Sequence, residues 1–495
     1  MSNVFSPKRT SKTSLGFRPY YQSNINADTT YNLRDAQATT KQLATETPVG
    51  KAIIDRVTQF TLGVGLFPQS APETALLGCS DEEYKRFTSE AESFWRYITD
   101  SKSYDYYNKN TFPQLQRLAF KNALISGDVL MHRLYRGKRE GYKPCIQLIS
   151  GSSIYNSGMD TDRKNRVGGV ELDNKGREIG YWIAQSDDNL NDTFTSKLYS
   201  KYNSYGFEEF SLLAFNLLES NQARGIPFLS AVRDAILDIN TYTKSTIEKA
   251  MVQALFTAFI EHEPEQSAPD TFHATLSNLA SQAQEMQGAE RDEDEIGFNL
   301  ASGNVVNLAP GEKINFAESK TPASGFKEFI DVQLDLIGSA VSLPREVLLA
   351  SFQSSFSASK GSLGVASKAF DIFRKDMADN FCQPNWNMVI DYGIRSGEIH
   401  APGYIDGSDR IKQAWLSATW IGPGAITLNP AQEVGAYVTA IQNGLCTHEQ
   451  AVRSLYGKDF EEVADRLKKE IDMLNANSNI ENKEETSSDS NGEEQ

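Results

Sequence analysis

Phosphate chemistry needs a glycine-rich cradle, and metal chemistry needs His, Cys or carboxylate clusters at ligand spacing. This 495-residue chain holds fragments of each and completes none. No GxxxxGK(S/T) phosphate loop occurs. Gly63-Val-Gly65 lacks a third glycine and follows a helical stretch, so it reads as a turn. His448-Glu449 begins like a zinc-protease helix, but Val452 stands where the second His belongs; Thr447-His-Glu-Gln450 reads instead as a capping box. His132, His262, His273 and His400 have no partner at ligand spacing. Asp292-Glu-Asp-Glu295 could hold a cation, although a solvated charged loop is the simpler reading. Lys360-Gly-Ser362 could offer an amine to a phosphate, or be solvated. Cys79, Cys145, Cys382 and Cys446 lie far apart without a CxxC pair, which points to structural thiols in a reducing compartment. No nucleophile has a base beside it. The expectation is no catalytic residue, no cofactor and no metal: a binding or structural role.

The elements that would carry such a role can be read from periodicity. In Phe326 to Val341, Phe326, Ile330, Leu334, Ile337 and Val341 share one face, with Lys327, Glu328, Asp331 and Asp335 opposite; Pro344 stops the run. The pattern resumes from Leu363 through Ala366, Phe370, Phe373 and Met377 to Phe381, with Pro384 marking the end. Between the two lies Ser351-Phe-Gln-Ser-Ser-Phe-Ser-Ala-Ser-Lys-Gly361. Serine favours loops, so this reads as a solvated tip carrying two aromatic side chains.

Residues 1 to about 30 read as an extended arm. Helices are expected over Asn32 to Leu62 with a break at Thr47-Pro48, over Ser80 to Ile98 behind a Ser80/Glu83 capping box, and over Thr111 to Gly127. Strands follow at Val129–Tyr135, Cys145–Ile149, Val167–Leu172 and Gly180–Ala184, with Asp173-Asn-Lys-Gly176 as a hairpin turn. A long helix runs from Phe228 to about Met251 on Val232, Ile236, Ile239 and Ala250. Leu255 to Glu318 reads as a small α/β module: strands at Leu255–Ile260, Phe298–Leu300, Val305–Leu308 and Ile314–Phe316, plus a helix on Phe272, Leu276, Leu279 and Ala283. The chain is loop-rich from Gly397 to Pro423. Helices are then expected over Pro430–Asn443, after Thr447, and over Asp459–Leu474; the last twenty or so residues are acidic and read as disordered.

At 55.0 kDa the chain exceeds one core, so several subdomains are expected. It has no apolar run long enough to span a membrane and no apolar stretch of a secretory signal near its start. A net charge of −16 disfavours gripping nucleic acid through many phosphate contacts, yet allows a duplex to pass without being held.

In their order and spacing, several strings resemble the lambda-like portal proteins of tailed bacteriophages. They are Thr47-Pro-Val49, Gly63-Val-Gly-Leu66, Ser126-Gly-Asp-Val-Leu130, Gln147-Leu-Ile149 and Gly168 to Gly176. Gln222-Ala-Arg-Gly-Ile-Pro-Phe228, Ser354 to Ser359, Trp420-Ile-Gly-Pro423, Asn429-Pro-Ala-Gln-Glu433, Asn443 to Thr447 and Gly457 to Glu462 continue the series. The family often has Asp and Lys where Asn429 and Gln432 stand, and Arg at Ser359. The resemblance implies a mixed α+β, helix-rich fold of portal type, with wing, stem, clip and crown, closing into a dodecameric ring at a capsid vertex in the virion and assembled in the host bacterial cytoplasm. Its implied boundaries are an arm (1–30), wing (31–225), stem helix (226–254), clip (255–318), second stem helix (319–345), tunnel loop (346–362), wing spine and return (363–425), crown (426–476) and acidic tail (477–495). It further implies that Phe352, Ser354, Ser355, Phe356, Ser357, Ser359 and Lys360 face DNA, with Lys244 and Glu248 as candidate channel-lining residues. Implied partners are further copies of the chain, double-stranded DNA, the terminase large subunit, major capsid and scaffolding proteins and head–tail connector proteins, with no membrane. The alternative is a soluble metal-dependent nuclease or protease with an unrecognised site.

Overall fold

Proline and threonine shape the first helices. In the computed structural model, which describes residues 25–137, 142–156, 165–185, 195–255, 259–262, 312–315, 325–351, 355–424, 429–458, 460 and 463–473, α1 (Ile25–Tyr31), α2 (Leu33–Glu46) and α3 (Pro48–Leu62) follow one another closely. Thr47 separates α2 from α3: its hydroxyl donates to Leu43 O at 2.7 Å and accepts from Gly50 N at 3.1 Å, while Pro48 takes the first helical position. The break expected at Thr47-Pro48 is therefore present. The extended arm is corrected over residues 25–30, which form most of α1; Thr29 and Thr30 close that turn through hydroxyl bonds to Ile25 O and Asn26 O.

Next come β1 (Phe67–Ser70), the short α4 (Thr74–Leu77), α5 (Asp81–Thr99) and α6 (Phe112–Ser126). The Ser80/Glu83 capping box is formed, and Thr111/Gln114 makes a second at the start of α6. The β-rich region comprises β2 (Asp128–Arg136), β3 (Lys143–Ser150), β4 (Arg166–Val167), β5 (Val170–Leu172), β6 (Glu178–Ala184), β7 (Ser196–Ser200) and β8 (Phe210–Ala214). These strands form two antiparallel sheets, ordered β3-β2-β8 and β4-β5-β6-β7. The Asp173–Gly176 hairpin turn is present: Asp173 Oδ1 accepts from the amides of Lys175 and Arg177 at 2.8 Å. The single strand expected over Val167–Leu172 is split, because Gly168 and Gly169 turn the chain with φ of 53° and 85°. Leu130, Val170, Tyr181, Ile183 and Phe210 are buried together in one apolar cluster.

A 3₁₀ turn (Phe228–Val232) leads into α7 (Arg233–Leu255). Because α7 runs to Leu255, the strand expected over Leu255–Ile260 is β9 (Phe259–His262); it pairs antiparallel with β10 (Glu312–Asn315). Ala250, expected on the apolar face of this helix, is exposed, whereas Val232, Ile236 and Ile239 are buried. The expected helix on Phe272 to Ala283 and the strands at Phe298–Leu300 and Val305–Leu308 lie outside the described residues.

The chain continues through α8 (Phe326–Ala340), α9 (Arg345–Leu349), α10 (Phe356–Met377), α11 (Gln383–Arg395), α12 (Asp409–Leu416), β11 (Ala418–Ile421), α13 (Pro430–Gln442) and α14 (His448–Tyr456); residues 460 and 463–473 are helical too. Pro384 does not end the helical run. The wider π turn Ala378–Cys382 joins α10 to α11, with Gln383 N bonded to Ala378 O, and Pro384 falls in the first turn of α11 where no donor is required. The loop-rich reading after Gly397 is corrected by α12 and by β11, which pairs with β1 across a long stretch of sequence.

The chain divides into two units: residues 1–236 with 334–495, and residues 237–333. The core of the first is aromatic. Trp95 lies 4.9 Å from Phe112, 5.4 Å from Trp386 and 5.9 Å from Trp420, while Phe112 stacks on Phe381 at 5.7 Å. Burying each such ring contributes about 1.5–3 kcal/mol. In the second unit, Tyr242 on α7 stacks on Phe326 at 5.4 Å and meets Phe329 at 4.7 Å on α8. All four cysteines are free thiols; burial pushes those of Cys145 and Cys382 upward, leaving them protonated and inert.

Candidate functional site

Of the residues nominated as DNA-facing, Ser355, Phe356, Ser357, Ser359 and Lys360 stand at the start of α10. Serine shapes this end: Ser355 is the N-cap, its hydroxyl accepting from Ala358 N at 3.4 Å. Residues 356–361, expected in a loop, are therefore the first turns of a helix. The C-terminal half of α10 is anchored to α3. Phe370 stacks on Phe60 at 5.6 Å, and Arg374 donates to Thr61 O at 3.1 Å and Phe60 O at 3.2 Å, capping α3 while pairing with Asp371 at 2.6 Å. The C-terminal half of α10 is thus held by packing on α3.

Ser355, Ser357 and Lys360 are exposed. Lys360 Nζ lies 3.8 Å from Glu433 Oε1 in the first turn of α13, a surface pair worth about 0–1 kcal/mol. A passing phosphate could compete for an amine held that weakly. Ser359 departs from expectation: it is 3% exposed, so its hydroxyl is covered by its own protomer rather than presented to a duplex. Phe352 and Ser354 lie outside the described residues, as do Asp292 to Glu295. Phe356 opens the helix. On α7, Lys244 and Glu248 are both exposed and sit one turn apart at 3.9 Å, again a weak pair.

No group of three or more His, Cys or carboxylate side chains among the described residues could hold a metal ion. His448 heads α14 behind the capping box of Thr447 and Gln450. Among the described residues no helix is long and apolar enough to cross a membrane.

One arrangement escaped the reading of the sequence. Arg224 and Asp128 form a fully buried bidentate pair, Nε to Oδ2 at 2.7 Å and Nη2 to Oδ1 at 2.9 Å. The remaining guanidinium donors reach Ile154 O at 2.9 Å, Gly151 O at 2.7 Å and Gly168 O, so all five are used. Asp128 Oδ2 also accepts from Gly225 N at 3.0 Å. Gly127 and Gly225 pack so closely that a Cβ on Gly225 would fall 1.9 Å from Gly127 O. The signal was present in Ser126-Gly-Asp-Val and Gln222-Ala-Arg-Gly, each a lone charge beside a glycine, but nothing local joins them.

Residues 12–374, well over half of the chain, match the family model described as "Phage portal protein, lambda family". The chain belongs to that family, one of structural, non-enzymatic proteins that serve as head–tail connectors of bacteriophages. It is 23% identical over 413 residues to portal protein B of Escherichia phage lambda, covering 79% of this chain and 75% of that protein. It is 22% identical over 404 residues to the portal protein of Escherichia phage N15, with the same coverage of 79% and 75%. Among solved structures, a chain in the neck of a native GTA particle, computed with C12 symmetry, aligns at a TM-score of 0.39 with 12% identity. That alignment covers 86% of this chain and 93% of the other. A chain in the neck of the empty particle aligns at 0.41, again at 12% identity, covering 88% and 94%.

Proposed function

We propose that copies of this chain close into a dodecameric ring at one capsid vertex, through which double-stranded DNA enters during packaging and leaves on ejection. The ring would dock the terminase large subunit while the head fills and head–tail connector proteins afterwards, set among major capsid and scaffolding proteins. The observation that carries this reading is family membership across residues 12–374. It is supported by apolar side chains that a lone protomer leaves in water: Ile247 and Met251 on α7, Val332 and Leu336 on α8. A heterologous ring contact, in which one face of each subunit meets a different face of the next, would cover them.

In this reading α7 and α8 are the stem helices, residues 255–318 the clip, residues 346–362 the tunnel loop and residues 426–476 the crown. Phe352, Ser354, Ser355, Phe356, Ser357 and Lys360 lie nearest the duplex, and Lys244 and Glu248 line the channel. An acidic protein suits a duplex that must slide, since each phosphate gripped by a cation deepens the well that stalls it. Mass measurement of the purified oligomer, with negative-stain imaging, tests the ring: annular particles with a central hole are expected. A monomer under all conditions, together with capsids that fill without this protein, would overturn it. Serine substitution of both Phe352 and Phe356 is expected to shorten the packaged DNA or impair its ejection; unchanged length and ejection would remove the tunnel-loop assignment.

A further inference from the structure

At the end of the β2–β3 hairpin the surface changes character. Tyr97, Tyr107, Tyr135 and Tyr142 are 63%, 55%, 48% and 69% exposed around Arg136 and Lys143, which stand opposite each other across the two strands. Lys143 Nζ lies 3.1 Å from Tyr97 Oη and 5.3 Å from the centre of its ring, a cation–π contact. Arg136 donates to Tyr106 O at 2.6 Å, Ser103 O at 3.2 Å and Asn108 Oδ1 at 2.5 Å. All three acceptors are neutral, so the guanidinium is held by groups that, among the described residues, leave its charge uncancelled. Tyrosine and arginine are the residues enriched where proteins bind, because they bring large, stiff contact area with polar ends. In a chain of net charge −16 a cationic, tyrosine-rich surface is an anomaly.

We infer that this surface docks the acidic C-terminal segment of its own chain, residues 475–495. That segment carries Glu481, Glu484, Glu485, Asp489, Glu493 and Glu494 against a single Lys483. It is the complement in charge, and it is close enough. Arg453 of α14 bonds Gln69 Oε1 of β1 at 2.5 Å, and the neighbouring Ser70 N bonds Glu92 Oε1 of α5 at 2.9 Å. Tyr97 lies about 7.5 Å further along α5. The final helical residues start near α14, Phe460 lying 5.9 Å from His448, and residues 463–473 add only about 16 Å. Residues 474–495 extended span up to roughly 70 Å, more than that path needs even if the last helix points away. Tethering makes the encounter intramolecular, so weak individual contacts suffice. Occupied, the surface is closed to other acidic partners until one of them displaces the segment.

The test is zero-length carbodiimide cross-linking of the full chain, which joins carboxylates to lysine amines, read by mass spectrometry. Linked peptides should join Lys143 to Glu481, Glu484, Glu485, Glu493 or Glu494, and should fade as salt is raised. Hydrogen exchange supplies a second readout that does not depend on cross-linking chemistry. With the six tail carboxylates neutralised to Gln or Asn, amides around Tyr107 and Lys143 should exchange about threefold faster, the change a site two-thirds occupied gives. Tail carboxylates linked elsewhere, Lys143 linked to the folded body of a second copy, or protection that appears only when a DNA duplex is added would each overturn the assignment.

Discussion

At the scale of single residues, the Asp128–Arg224 pair decides more than any group singled out for chemistry. Removing one partner of a buried pair strands the other, so Arg224→Ala should cost about 3–5 kcal/mol in denaturant unfolding. Buried pairs are often replaced by apolar residues at little cost. Here that route is closed: Asp128→Leu with Arg224→Met would also take the guanidinium from Ile154 O and the carboxylate from Gly225 N, both buried. At about 1–3 kcal/mol for each unmet group, the double variant should stay well below the parent protein. A second residue sets a pH response. Half-buried His132 stacks on Phe210 at 4.1 Å, and its burial lowers its pKa below the ordinary 6.5 against the opposing effect of the hydrogen bond that its Nδ1 donates to Gln147 Oε1. The unfolded chain takes up that proton first, so the stability His132 contributes is present above about pH 6.5 and lost as pH falls below it. His132→Phe should flatten this part of the acid limb, checked by unfolding midpoints between roughly pH 7 and pH 5.

At the scale of elements, local rules and tertiary fit can oppose each other. Gly50 lies in the first turn of α3, where helix propensity alone favours alanine by about 1 kcal/mol. A Cβ there would sit 2.4 Å from Leu43 O, a backbone atom that cannot swing aside. Overpacking of this kind costs about 1–3 kcal/mol, so Gly50→Ala should destabilise. A Cβ on Gly435 in α13 would meet nothing within 4 Å, and Gly435→Ala should instead stabilise by about 0.4–1 kcal/mol, both variants being checked by thermal unfolding. Caps were legible because they are local: Thr47-Pro48, Ser80/Glu83 and Thr447/Gln450 all act within three residues. Pro384 was misread for the complementary reason. Proline ends a helix only where its missing donor matters, and the π turn before it moves it to a position where it does not.

At the scale of the molecule, the exposed apolar residues of α8 give the ring a direct test. Leu336→Asp, at a side chain 59% exposed in the lone protomer, should leave the unfolding midpoint of the chain within about 0.5 kcal/mol. The same change should shift sedimentation from the ring toward the protomer, because a charge buried in the subunit contact is costly. An unchanged sedimentation profile would remove α8 from that contact.

From its sequence the chain could be read as helix-rich α+β, with most helices placed within a few residues, and its ordered strings resembled the lambda-like portal family to which it belongs. Those signals are periodicity, caps and punctuation, each set within a few neighbouring residues. The candidate DNA-facing segment was only partly legible: serine composition suggested a loop, while one serine at the N-cap position starts a helix and buries Ser359. Tertiary structure alone decided the rest. Asp128 meets Arg224 across 96 residues, and β1 meets β11 across more than three hundred. Such pairings depend on which surfaces close upon each other, and no window of sequence short enough to carry a pattern contains both partners.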